Sequence, residues 1–126
     1  MRVFVFGNPE IAIDSLPLRL LPRLRRLFPQ TDFVDVDPNE DWDIPEEMTV
    51  IDTVIGLGAP NVFDDLRNFE RSPAVTMHDF DALAYLRLLI KLGKLQRVTV
   101  IGLPPDIDED KAIVAITEAL RQRSFT

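Results

Sequence analysis

A chain of 126 residues, 46% hydrophobic and without a single cysteine, can bury one core without covalent help. The missing cysteines exclude a disulfide framework, a thiolate zinc site and a cysteine nucleophile. A net charge of −7, from 21 acidic against 14 basic residues, repels a phosphate backbone and argues against a nucleic-acid partner. No apolar run approaches the ~18 residues of a membrane span, and the opening MRVFVFGNPE is too short a run for a signal peptide and reads as a strand. A cytoplasmic protein is the expectation, since a cysteine-free chain fits a reducing compartment.

RVFVF (2–6) is a β-branched and aromatic run stopped by Gly7-Asn8-Pro9, a turn signal. From Ser15 the period changes: Leu16, Leu20, Leu24 and Leu27 recur at helical spacing with arginines between them. Asp14 or Ser15 is placed to cap this helix, and Pro17 suits its first turn. Pro22 lacks an N–H and is expected to kink or split it. DFVDV (32–36) reads as a second strand closed by Pro38, and an acidic loop follows. MTVIDTVIGLG (48–58) reads as a third strand, its nearly continuous apolar residues indicating cover on both faces. NVFDDL (61–66) suits a short edge strand. DALAYLRLLIKLG (81–93) is a helix ending at Gly93. RVTVIGLPP (97–105) is another strand, and DEDKAIVAITEALRQR (108–123) a closing helix.

Strands alternating with helices predict an α/β fold: a three-layer α-β-α sandwich with a mostly parallel sheet of about five strands, one of them an antiparallel edge strand. Without internal repeat, low-complexity tract or linker, residues 1–126 read as a single domain.

In such a sheet, ligands gather outside the carboxyl ends of the strands. Asn8 and Asp14 follow the first strand, Asp52 lies in or at the end of the third, and His78, the chain's one histidine, precedes the second long helix. Asp52 stands out most, because a carboxylate among Val50, Ile51, Val54 and Ile55 costs free energy unless paired, solvated or bound to a cation. If it were buried without compensation, its removal would stabilise the protein. Each residue also has a plain structural reading: Asp14 as a helix cap, Asp52 as a strand-end cap, His78 as a polar residue at a loop–helix junction. Together, two carboxylates and an imidazole form a ligand set for a borderline divalent cation.

Other templates lack their defining residues. GNPEIAID offers one glycine where a dinucleotide fold needs several, and no Gly-Lys-Ser/Thr follows any strand. The place of a receiver domain's lysine reads GLPPDID, and no serine sits in a nucleophile elbow.

The segments RVFVFGNPEIAID, VIDTVIG, VTMHDFDALAYL and VTVIGLPPDID resemble the hydrogenase maturation proteases over nearly the whole chain. Those endopeptidases remove the C-terminal extension of the nickel–iron hydrogenase large subunit after nickel insertion. The resemblance implies that Asp14 (six residues beyond Asn8), Asp52 and His78 are metal-binding and catalytic, with Asn8 and Asp37 recognising substrate. It further implies that the metal is nickel carried by the precursor, with other divalent cations standing in for it in vitro. The implied partner is the hydrogenase large-subunit precursor, and the implied enzyme a monomer. Two departures stand against the pattern: Ile13 where many members have a second acidic residue, and Asp37-Pro38-Asn39 where Asp-Gly-Gly is usual. They suit an alternative, a non-catalytic metal- or partner-binding module built on the same fold.

Overall fold

A computed structural model of the protein describes residues 2–7, 15–36, 47–54, 57–64 and 88–124. Strands β1 (Arg2–Phe6), β2 (Asp32–Val36), β3 (Glu47–Thr53), β4 (Asn61–Phe63) and β5 (Arg97–Leu103) form one sheet in the order β2-β1-β3-β5-β4. The pairs β1–β2, β1–β3 and β3–β5 are parallel, whereas β4 closes the edge antiparallel to β5. Two helices complete the described elements, α1 (Leu16–Leu27) and α2 (Glu109–Ser124).

Because successive strand residues face opposite sides, the sheet divides the apolar residues into two cores. On one face Val3, Val5, Ile51, Ile101 and Leu103 meet Leu16, Leu20 and Leu24 of α1 and Ala112, Ile116 and Leu120 of α2. Both triplets follow i, i+4, i+8 spacing, which keeps them on one helical stripe. On the other face Phe4, Phe6, Val50, Val98 and Val100 pack with Val54, Phe63, Leu89 and Leu95. Leu89 belongs to a helical turn at 88–91 that ends at Gly93, whose φ of 74° is a left-handed conformation. There the Gly93 N–H donates to the Ile90 carbonyl at 3.1 Å and the Lys94 N–H to Leu89 at 3.0 Å, the paired bonds of a Schellman termination. The sequence-predicted α/β sandwich is thus the observed architecture. Among the described residues no helix is long and apolar enough to cross a membrane.

Three sequence expectations are corrected. α1 runs unbroken through Pro22. The proline is exposed while Leu16, Leu20, Leu21 and Leu24 are buried on the sheet, so packing holds the helix across the missing backbone bond. The buried stripe stops at Leu24, and Leu27 is solvent-exposed. β3 ends at Thr53 rather than running to 58: Val54 donates its N–H to Leu103 at 2.8 Å, and Leu57 then turns back onto the Val54 carbonyl at 3.4 Å. Ser15 takes the N-cap position without a side-chain capping bond, while Asp14 lies outside the described residues.

Both outer strands are guarded by side chains. Arg25 Nη2 donates to the Phe33 carbonyl on β2 at 3.0 Å, and Asn61 Oδ1 accepts the Val62 N–H on β4 at 2.9 Å. One backbone group on each edge strand is thereby occupied, which makes that point less available to another strand. Arg19 and Arg23 of α1 pair with Glu109 and Asp110 of α2 at 3.8 and 2.8 Å, which gives partners to two of the arginines set between the α1 leucines. These pairs are partly exposed and orient the helices more than they stabilise them.

Replacing Pro22 with alanine restores an N–H for the Leu18 carbonyl and removes the ring from a helix interior. Urea unfolding of Pro22→Ala is expected to show a gain of about 1–3 kcal/mol; an unchanged or lower midpoint would mean that the proline fits this helix without cost.

Candidate functional site

The chain reverses its direction of travel across the sheet between β1 and β3. β1 leads through α1 to β2 on one side, while β3 leads toward β4 and β5 on the other. Neighbouring strands whose connections diverge leave a crevice at their carboxyl ends, the usual ligand position in this architecture. Asp52 is the penultimate residue of β3 and stands at that crevice, half-buried, in register with Gly102 of β5.

The local chain explains how a carboxylate is accommodated. Alternate N–H groups of a strand point to opposite neighbours. Since the Val54 N–H goes to β5, that of Thr53 faces β1, whose pairing with β3 runs only from Val3↔Thr49 to Val5↔Ile51. Asp52 Oδ1 accepts this N–H at 2.9 Å. The carboxylate therefore has a structural task, the strand-end role that its position suggested, and it is neither fully buried nor uncompensated. A carboxylate offers about four acceptor sites over its two oxygens, so this bond does not exhaust its capacity. The condition under which removing Asp52 would stabilise the protein, burial without compensation, is not met, and its removal is expected to destabilise.

Gly102 permits the packing around this point. A Cβ there would stand 3.0 Å from Val54 Cγ2 and 3.2 Å from both Leu57 Cδ1 and Phe63 Cε2. The absent side chain lets the segment leaving β3 lie directly on β5, close beside the Asp52 position.

Among the five sequence-predicted site residues, Asp52 is described, and Asn8, Asp14, Asp37 and His78 lie outside the described residues. Segment 8–14 joins the carboxyl end of β1 to α1 by chain order alone. No group of three or more metal-binding side chains occurs among the described residues. Sequence reasoning passed over Thr53. It reads as an ordinary β-branched strand residue, yet its side chain is buried and its hydroxyl has no hydrogen-bond partner among the described residues.

Comparison with known proteins places this geometry. The hydrogenase maturating endopeptidase HybD from E. coli superposes with a TM-score of 0.65 at 16% identity, over 98% of this chain and 94% of that one. An endopeptidase from Escherichia coli, solved in solution, matches with a TM-score of 0.63 at 17% identity, over 96% and 91%. An uncharacterized protein from Wolinella succinogenes matches at 0.64 and 14%, over 98% and 96%. What they share with this chain is the fold. No protein-family model matches the sequence, and no curated protein matches it. The resemblance read from the motifs is thus met by a common architecture along nearly the full length, at identities too low to carry chemistry by themselves.

Asp52→Asn keeps an oxygen acceptor for the Thr53 N–H, whereas Asp52→Ala strands that N–H. Chemical denaturation is expected to leave the asparagine variant close to wild type and to lower the alanine variant by about 1–3 kcal/mol. An alanine variant as stable as wild type would deny Asp52 its strand-end role.

Proposed function

We propose that the chain is an endopeptidase that removes the C-terminal extension of a nickel–iron hydrogenase large-subunit precursor after recognising the nickel inserted there. The observation that supports this reading is a half-buried carboxylate, Asp52, at the switch-point crevice of a fold matching the maturating endopeptidase HybD over 98% of the chain. In this reading Asp14, Asp52 and His78 together engage the precursor's nickel, which arrives as part of the substrate. Asn8 and Asp37 contact the precursor chain. Asp and His donors suit nickel, which accepts both oxygen and imidazole nitrogen.

Hydrolysis of the scissile peptide requires a water to add to its carbonyl carbon. The C–N bond then breaks, and the proton lost by the water ends on the leaving amine. A substrate-borne cation polarises either the carbonyl or the water, a role that removes the need for a serine or cysteine nucleophile. One of the carboxylates, Asp14 or Asp52, relays the proton. Cleavage then depends on nickel loading, so the enzyme checks metal insertion before it trims. The enzyme acts as a single-domain monomer in the cytoplasm.

A non-catalytic reading is favoured by Ile13, by Pro38-Asn39 and by the structural bond that Asp52 already makes. It is a binding module that senses the loaded precursor without cutting it.

One assay separates the two. The nickel-loaded large-subunit precursor, incubated with wild type, is expected to lose its C-terminal extension by mass spectrometry, and the metal-free precursor to stay intact. Asp52→Asn, which preserves the bond to Thr53, and His78→Ala should each slow trimming by at least about 100-fold, the scale of a lost metal ligand or acid–base group. Stable binding without cleavage would establish the module instead, and normal trimming by either variant would remove that residue from the site.

A further inference from the structure

Among the described residues two polar side chains are buried in the sheet, Thr53 and Thr99, and they differ in their bonding. The Thr99 hydroxyl on β5 donates to Asp64 Oδ1 at 3.2 Å. Thr53, only 1% exposed, holds Oγ1 with no partner among the described residues. A buried hydroxyl in that state is a standing cost, because it has given up its bonds to water and received nothing in return. Valine has almost the same shape without the cost, and the fully buried Val50 shows that this strand accepts it.

The position of this cost is informative. Thr53 is the last residue of β3, beside the crevice where β1 and β3 part, and its N–H is the group that holds Asp52 Oδ1. By strand alternation its side chain faces the α1–α2 side with Ile51, in register with the fully buried Leu103, while Asp52 faces the other side. One residue thus supports the site through its main chain and carries a stability penalty through its side chain. Unsatisfied polar groups kept at functional positions are a recognised form of stability traded for activity.

We propose that Thr53 is a positioning residue of the Asp52 site, whose hydroxyl goes unpaired in the free protein and gains its hydrogen bond when a peptide substrate engages the crevice. This rests on the peptidase reading given above. Pairing the hydroxyl fixes the end of β3, and with it the Thr53 N–H that orients the Asp52 carboxylate. The substrate class is a peptide segment, whose backbone carbonyls and amides offer the acceptors and donors that a hydroxyl needs.

The test compares Thr53→Val and Thr53→Ser with wild type in two measurements, thermal unfolding of the free protein and steady-state trimming of the nickel-loaded precursor. Thr53→Val keeps the main-chain bond to Asp52 and removes only the hydroxyl. It is expected to unfold about 3 °C or more above wild type while its kcat falls at least about tenfold. Thr53→Ser, which loses a buried methyl but keeps the hydroxyl, should unfold below wild type and retain its kcat. A purely structural threonine would not produce this opposition between stability and turnover. A less stable Thr53→Val would show that the hydroxyl is already paired in the free protein, and an unchanged kcat would show that substrate does not use it; either result overturns the proposal. If wild type itself leaves the precursor uncut, the peptidase reading fails first and the proposal falls with it.

Discussion

The organisation of this protein depends on a parallel sheet that must be covered on both faces. Its central strands contribute Val3, Val5, Ile51 and Leu103 to one core and Val50 to the other, all of them inaccessible to solvent. Such strands accommodate a charged side chain most readily at their ends, where ladders stop and backbone groups lose their partners. Asp52 meets this condition at the carboxyl end of β3. A carboxylate can stand there because an otherwise orphaned N–H needs an acceptor. The crevice lies at the same place because the connections of β1 and β3 diverge. Structural tolerance for a charge and access for a ligand thus have a common origin in strand order.

The same constraint shapes the margins. A side chain occupies one backbone group on each edge strand, the Phe33 carbonyl of β2 and the Val62 N–H of β4. Gly102 brings the segment after β3 against β5, closing the second core directly beside the Asp52 position. Packing, edge protection and site placement are solved together.

The element types were legible because period and punctuation agreed: two-residue alternation or continuous apolar runs for strands, four-residue spacing for α1, and glycine at the end of the helix closing at Gly93. Boundaries were less legible. The run VIDTVIGLG has no charged or turn-forming residue between Asp52 and Gly56 to signal a stop, yet β3 ends at Thr53, because Val54 belongs to a core without belonging to a strand. Pro22 carried a correct local cost that tertiary packing overrode. At the site, Asp52 was legible from the expense of a carboxylate in an apolar run, although its bond to the next residue's N–H depends on where the β1 pairing stops. Thr53 was not legible, since threonine is an ordinary strand residue, and its distinction is a missing partner that exists in three dimensions alone.

The proposed function requires that three residues far apart in sequence, Asp14, Asp52 and His78, form one cation site at the carboxyl edge of the sheet. Anomalous diffraction from a crystal soaked in nickel or cadmium tests it most directly. A single strong peak within coordination distance of all three side chains is expected. A peak elsewhere, or none with those side chains pointing apart, would contradict it and leave Asp52 with its strand-end role alone.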